Sequence, residues 1–145
     1  NRERVSGYLA ALEDAGISWK AQVYSDYDRV SVREAVGRLY LDHPDMDALF
    51  VTAGGDVLLD CIDGLNACAP EADGIALAAF DDFRFFNYID VPVCTVRQPV
   101  REIGRVAASL LFDTLAGNAP KESEHILPVD LVIREKKPGT GLQPR

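Results

Sequence analysis

Apolar positions along the chain follow two spacings, one typical of helices and one typical of short strands. Between Val5 and Leu12 they recur at the spacing of a helix face, and Gly16 is a suitable stop. The same spacing predicts further helices after residue 28, after residue 55 and over 100–116. Compact or alternating apolar runs predict strands at 19–24, 48–52, 75–80, 93–96 and 126–133, the last being an edge strand interrupted at Pro128.

Strands that alternate with helices in this way predict an α/β fold with a doubly wound parallel sheet. In such sheets, ligands bind beyond the carboxyl ends of the strands. That rule selects three places where a predicted strand gives way to a polar or glycine-containing turn. They are Asp26-Tyr27, Ala53-Gly54 and Asp81-Asp82.

Composition and charge narrow the classes of function. The chain has 145 residues, the size of one domain, and its 15 Lys+Arg against 23 Asp+Glu give a net charge of -8. This sign is wrong for a surface that must neutralise DNA phosphates, so we expect no DNA-binding residue in the chain itself. Three cysteines without metal-ligand spacing predict neither a zinc site nor a disulfide framework, and no cofactor is expected.

The ends of the chain also lead to expectations. No apolar run reaches the length of a membrane span and no signal-like segment opens the chain, which favours the reducing cytoplasm. Because the first residue is Asn1 and a helix begins almost at once, we interpret the chain as part of a longer protein. The final residues, 138–145, are expected to form a flexible tail.

Several stretches, taken in their order along the chain, resemble the lactose/galactose repressor (LacI/GalR) family of transcriptional regulators. The resemblance implies a type I periplasmic-binding-protein-like fold, in which residues 1–137 form an effector-binding sensor domain. Most of it would be the carboxyl-side subdomain, with helix 100–116 belonging to the amino-side one and exposing part of its apolar stripe here. The stretches are Arg-Val-Ser-Gly-Tyr at 4–8, Asp-Ala-Leu-Phe at 47–50, Ala-Phe-Asp-Asp at 79–82, Val-Cys-Thr-Val-Arg-Gln-Pro at 93–99 and Leu-Pro-Val-Asp-Leu-Val-Ile-Arg at 127–134.

The resemblance implies roles for individual residues. Arg4 would hold the effector, since a guanidinium offers a planar fork of donors to hydroxyl or phosphate oxygens. Tyr27 would stack on the ligand ring, and Asp81 would accept hydrogen bonds from sugar hydroxyls, with Asp82 structural. Further candidates for the same effector site are Arg2, Asp26, Ala53, Gly54 and Gln98.

One turn departs from the family pattern. Where the family commonly has Asn-Asp, this chain has Ala53-Gly54, so polar recognition there would come from Thr52 or from backbone groups. In this respect the chain resembles the fructose-repressor or catabolite-repressor branch. That branch implies a sugar phosphate as effector, with its phosphate held by Arg2 and Arg4 together.

The same resemblance implies partners. The whole protein would be a homodimer that binds operator DNA through an amino-terminal helix-turn-helix outside this chain, and effector binding would change its affinity for DNA. The third helix and the loop after it would contribute the dimer interface, although part of that helix must also be core. The interface candidates are Val57, Leu58, Cys61, Phe85 and Tyr88.

Other interpretations stay open. Arg4 also suits a solvated charge at a helix start, Tyr27 also suits packing at the sheet edge, and acids after strands often cap turns. A periplasmic solute-binding protein for a sugar would share the fold. A flavodoxin-like magnesium-dependent enzyme or phosphoacceptor domain would use Asp81 and Asp82, but no nucleophile–base pair or lysine partner accompanies them, so we expect no enzyme.

Overall fold

The computed structural model describes residues 2–68, 74–88, 92–118 and 124–135. The predicted tail at 138–145 lies outside these residues. The helices are α1 (Arg2–Asp14), α2 (Arg29–Asp42), α3 (Asp56–Cys68) and α4 (Val100–Leu115), with a 3-10 turn at Arg84–Asn87. The strands are β1 (Ala48–Val51), β2 (Ala76–Phe80), β3 (Val93–Arg97) and β4 (Asp130–Arg134).

The four strands form one sheet in the order β1-β2-β3-β4. The first three are parallel, with Leu49 opposite Leu77 and Leu77 opposite Val93. β4 runs antiparallel to β3 and forms the edge of the sheet. The predicted α/β fold is confirmed, but the sheet is only mainly parallel, because β4 is antiparallel. This last strand begins at Asp130, after the proline that was expected to interrupt it.

One face of the sheet carries the core. Alternate strand residues point to this face, and the α2–α3 pair packs over it. Helix α2 begins cleanly because the Asp28 carboxylate caps the backbone N–H groups of Val30 and Ser31, each at 3.0 Å. The core residues include Val32, Val36, Leu49, Val51, Leu58, Cys61, Leu65, Leu77, Ala79, Phe86 and Val93.

The opposite face is covered only in part. Helix α1 lies beside it, with the rings of Tyr8 and Phe50 5.3 Å apart, but no α1 residue is buried. Between α1 and the strands runs an open, mostly apolar groove of about 720 Å³, to which Phe50, Phe80 and Cys94 contribute. Every described residue of α4 is also at least partly exposed, so its apolar stripe is open as expected.

The prediction of a strand at residues 19–24 is wrong. The segment is irregular, and Trp19, Val23 and Tyr24 are all exposed. The ring of Trp19 meets His43 edge-on at 5.5 Å. An alternating pattern favours a strand, but a strand forms only where a neighbour accepts its backbone hydrogen bonds, and no described strand pairs with this segment.

Candidate functional site

Three turns meet at the carboxyl edge of the parallel strands, where ligands bind in folds of this type. Asp81 follows β2 and Gln98 follows β3, and the Gln98 Nε2 atom donates a hydrogen bond to Asp81 Oδ1 at 2.5 Å. The backbone N–H of Asp81 donates to the Val96 carbonyl at 3.0 Å. Asp81 has a φ of 67°, a left-handed conformation that is uncommon for a residue with a side chain. The structure therefore brings two predicted site residues into direct contact.

The turn after β1 lies directly against Asp81. A Cβ atom placed on Gly54 would lie 2.6 Å from Asp81 Oδ2 and 2.5 Å from the Phe80 carbonyl oxygen. Ala53 is half-buried in the same turn. The structure thus places Gly54 directly against Asp81, whereas Ala53 packs against the core.

Arg4 reaches the same edge of the sheet from α1. Its Nη1 atom donates to the backbone carbonyl of Thr52 at 2.8 Å, and its guanidinium carbon lies 4.0 Å from the centroid of the Phe80 ring. A cation over an aromatic face is attracted by the ring's quadrupole, so two contacts hold the guanidinium in place. A guanidinium has five donors, and within the described part of the chain one of them is engaged by the Thr52 carbonyl.

Asp82 has a different role from its neighbour Asp81. Its carboxylate accepts hydrogen bonds from Thr95 at 3.0 Å and from Arg97 Nε at 2.9 Å, and it forms an ion pair with Arg134 at 2.8 Å. Burial raises the pKa of Asp82, but the hydrogen bonds from Arg134, Arg97 and Thr95 outweigh burial and lower the pKa to about 2. The prediction that Asp82 is structural agrees with these contacts, because its carboxylate links the turn after β2 to residues of β3 and β4.

Sequence reasoning missed Arg97 and Arg134 as partners of this acid. Arg97 is the last residue of β3, whereas Arg134, the last residue of β4, stands opposite Val93 at the other end of β3. The Arg134 side chain therefore extends past Thr95 to reach Asp82. Arg134 also donates to the Asn87 side chain at 3.0 Å and lies 5.7 Å from the Phe86 ring. The sequence shows the two arginines and the pair of acids, but it does not show that β4 runs antiparallel to β3.

Three other candidates lie on the surface. Arg2 is exposed at the start of α1, and Asp26 is exposed, with its backbone N–H donating to Ser31 Oγ at 3.0 Å. Tyr27 is 72% exposed. Their assignment to the effector site stays a prediction.

The predicted dimer interface needs a correction at two of its residues. Leu58 is fully buried and Cys61 is 4% exposed, and both pack in the core between α3 and the sheet. A side chain that fills the core of its own chain cannot contact a partner. Val57 and Phe85 are half-buried and Tyr88 is 73% exposed, so these three remain candidates.

Within the described ranges, no group of His, Cys, Asp and Glu side chains is arranged to hold a metal ion. Among the helices of the same ranges, none is long and apolar enough to cross a membrane.

Comparison with known protein families decides the assignment. A family of periplasmic binding protein-like domains matches residues 1–135. The chain belongs to this family. Among curated relatives, the transcriptional regulator CelR of Thermobifida fusca is 29% identical over 137 residues, and a probable opine utilization operon repressor of Rhizobium rhizogenes is 30% identical over 148 residues. The alignments cover 92% and 97% of the chain, but 40% of CelR and 72% of the opine repressor.

Solved structures agree. The complex of CelR with cellobiose superposes with a TM-score of 0.77 and 30% identity, covering 93% of this chain and 42% of that one. A dimeric Lac repressor superposes with a TM-score of 0.75 at 21% identity, over 93% of this chain and 49% of that one, which shows the shared fold. The resemblance to LacI-type repressors is confirmed, and the chain spans about two fifths of CelR.

Proposed function

We propose that this chain is a part of the effector-sensing domain of a LacI-type transcriptional regulator, mainly its carboxyl-side subdomain, that its effector is a neutral sugar, and that it is not an enzyme. The observation that carries the proposal is the Asp81–Gln98 pair at the carboxyl edge of the parallel strands, with Arg4 at the same edge. The relatives support regulation rather than solute delivery or catalysis, because they are transcriptional regulators. Such a regulator acts in the cytoplasm.

The chemistry of these groups suits hydroxyl ligands. An ionised carboxylate accepts hydrogen bonds from hydroxyl donors, while the guanidinium of Arg4 and the carbonyl of the Gln98 side chain serve further hydroxyls. The Phe80 ring fixes the guanidinium at 4.0 Å, so that it is held in position before a ligand arrives. A CelR structure contains cellobiose, and structures of similar fold contain lactose and sucrose.

A sugar phosphate is the rival effector, with Arg2 and Arg4 as its phosphate ligands. The contacts favour the neutral sugar, because Arg4 lies with Asp81 at one sheet edge and Asp81 has the neutral Gln98 amide as its partner. A phosphate in this neighbourhood would meet the negative charge of Asp81.

Regulation would follow from the two-subdomain architecture. Helix α4, with its exposed apolar stripe, would pack on strands of an amino-side subdomain outside this chain, and effector binding in the cleft would change the angle between the subdomains. The regulator would be a homodimer, with Val57, Phe85 and Tyr88 among its contacts, and a helix-turn-helix outside this chain would bind operator DNA. Ligand affinity and DNA affinity would then be coupled reciprocally.

The test is calorimetry on the full-length regulator with cellobiose, lactose, sucrose and fructose 1-phosphate. We expect binding of a neutral sugar, and a loss of about tenfold or more in affinity for Arg4→Ala and for Asp81→Ala, since each removes a hydrogen-bonding charge. Glu34→Ala, at an exposed position of α2, is the matched control and should bind like the wild type. Band-shift assays with operator DNA should show that the bound sugar changes DNA affinity.

Each contrary outcome has a defined meaning. Binding of fructose 1-phosphate alone would replace the neutral sugar by a sugar phosphate. Sugar binding that leaves DNA affinity unchanged would favour a solute-binding protein. Affinity that survives both Arg4→Ala and Asp81→Ala would remove the site from this edge of the sheet.

A further inference from the structure

Gly54 differs from its neighbour Gly55 in the reason why the structure needs a glycine. Gly55 has a φ of 65°, in the left-handed region that favours glycine, and a Cβ there would meet the Phe83 ring at an ordinary 3.7 Å. Gly54 lies outside that region, so its backbone is open to any residue. What Gly54 supplies is space.

That space is filled by Asp81. A Cβ on Gly54 would lie 2.6 Å from Asp81 Oδ2, 2.9 Å from Asp81 Cβ and 2.5 Å from the Phe80 carbonyl oxygen. All three distances are far below van der Waals contact, and two of the three atoms belong to backbone or to the root of a side chain, which cannot rotate away. A side chain at position 54 must therefore push the turn after β2 away from the turn after β1.

Asp81 has little freedom to adapt to such a push. Its backbone is already left-handed at φ 67°, its N–H is bonded to Val96, and its Oδ1 accepts from Gln98 at 2.5 Å. A residue with a side chain keeps such a conformation only where its surroundings hold it there. Displacement from the side of Gly54 thus acts on the Asp81–Gln98 hydrogen bond itself.

We propose that Gly54 is a positioning residue for the effector site: it leaves the space that keeps the Asp81 carboxylate paired with Gln98 and so fixes how the site presents its charged acceptor to a hydroxylated ligand. The inference rests on the proposed function, in which Asp81 binds the effector. It also gives a physical meaning to the Ala53-Gly54 sequence at this turn, since the orientation of Asp81 and the absence of a side chain at position 54 depend on each other.

The experiment has a ligand-free part and a binding part, both on the full-length regulator. Crystal structures of the wild type and of Gly54→Ala, without sugar, report the distance between Gln98 Nε2 and Asp81 Oδ1. Gly37→Ala on α2 is the matched control, because a Cβ on Gly37 meets only Cys68 Sγ, at an ordinary 4.0 Å. We expect the bond to be present in the wild type and in Gly37→Ala, and broken in Gly54→Ala.

Calorimetry with cellobiose, lactose and sucrose then measures affinity for the same variants and for the Asp81→Ala background. We expect Gly54→Ala to weaken binding about ten- to a hundredfold, the effect of losing a hydrogen bond to a charged group. In the Asp81→Ala background the same change should cost less than about threefold, because coupled residues are not additive. If Gly54→Ala does not fold, Gln98→Ala tests the same bond from its other side and should weaken binding by a similar factor.

The outcomes separate this inference from the function on which it rests. An intact Asp81–Gln98 bond in Gly54→Ala overturns the positioning role, whatever the sugars do. Equal losses of affinity from Gly54→Ala with and without Asp81 also overturn it, since Gly54 would then act through another group. If the bond breaks but no sugar binds the wild type, the proposed function fails while the dependence of Asp81 on Gly54 stands.

Discussion

The two faces of the sheet differ in how completely they are covered. On the face under α2 and α3, residues such as Leu77, Val93 and Leu58 are almost fully buried. On the other face, α1 has no buried residue and an open groove of about 720 Å³ separates it from the strands. The chain spans about two fifths of CelR. In the proposed function, the open face and α4 are covered by the rest of a longer protein.

The comparison shows that amphipathic pattern and burial are separate properties. Helices α3 and α4 both carry an apolar stripe, but only α3 buries residues. An apolar stripe indicates that a helix packs against another apolar surface, and only the tertiary structure shows whether that surface belongs to the same chain. The contrast between the covered and the open face leads to measurable differences in thiol reactivity and in stability.

The largest difference is expected in thiol reactivity. Burial, and to a smaller extent the charge of Asp60, raise the pKa of Cys61 to about 12 from an ordinary 9.0. Since the thiolate is the reactive form, Cys61 should react with iodoacetamide about a thousandfold more slowly than an ordinary cysteine. Cys94, half-buried on the open groove, should react first.

Site-resolved mass spectrometry after timed labelling measures both rates in one sample. In concentrated urea the two cysteines should react alike, which is the internal control. Native rates that are equal for Cys61 and Cys94 would show that the α2–α3 face opens as readily as the groove.

The next effect is on stability. Leu58→Ala, which empties a fully buried position on α3, should lower the free energy of unfolding by about 3 kcal/mol. Leu59→Ala is the matched control, because Leu59 stands next to it on the same helix and is 39% exposed. We expect the control to cost below about 1 kcal/mol in urea unfolding. Equal costs would contradict the assignment of the core to this face.

Asp82→Asn should lower the free energy of unfolding by about 2 kcal/mol at neutral pH. The change weakens the hydrogen bonds with Thr95 and Arg97, and it leaves the largely buried guanidinium of Arg134 without its charge partner. Asp113→Asn, at an exposed position of α4, should leave the free energy of unfolding within about 0.5 kcal/mol of the wild type.

The effect of Asp82→Asn on the free energy of unfolding should also depend on pH. The pKa of Asp82 is about 2 in the folded chain, below its ordinary 3.8, so its stabilising effect is complete above about pH 4 and is lost as the pH falls through 2. The stability difference between wild type and Asp82→Asn should therefore be constant from pH 7 to about 4 and then narrow. A difference that persists unchanged at pH 2 would mean that the charge of Asp82 contributes nothing.

The smallest effect is expected on the open side. Ile103→Ala on α4 should change the stability of the 145-residue chain by under about 0.5 kcal/mol, because Ile103 is 41% exposed there. In the full-length regulator the same change should cost about 2 kcal/mol, as expected for a covered isoleucine. Chemical denaturation of both proteins makes the comparison, and equal small effects would show that α4 stays uncovered in the longer protein.

Much of the fold was predictable because it follows local rules. The apolar runs at 48–52, 75–80 and 93–96 all became strands, and the helix predicted over 100–116 was observed as Val100–Leu115. The segment 19–24 has the same kind of pattern, but the strand predicted there is not formed. A strand is stabilised by hydrogen bonds to a neighbour, and the pattern of one segment does not tell whether that neighbour is there.

The candidate site was predictable in position but not in detail. The rule that ligands bind at the carboxyl edge selected Asp81 and the Ala53-Gly54 turn, and the structure brought them into contact. The sequence did not reveal that Gln98 donates to Asp81, or that Arg97 and Arg134 converge on Asp82. These contacts join residues from separate strands, and their geometry depends on strand order and direction.

The amino-acid sequence by itself determined the α/β class, the order of most elements and the sheet edge at which polar side chains collect, because periodicity and turn chemistry act over a few neighbouring residues. Only the tertiary structure decided that α3 is buried while α4 is open, that β4 is antiparallel, and that Gly54 makes room for Asp81. These features depend on which distant segments meet, and the burial, pairing and steric contact that stabilise them exist only after the chain has folded.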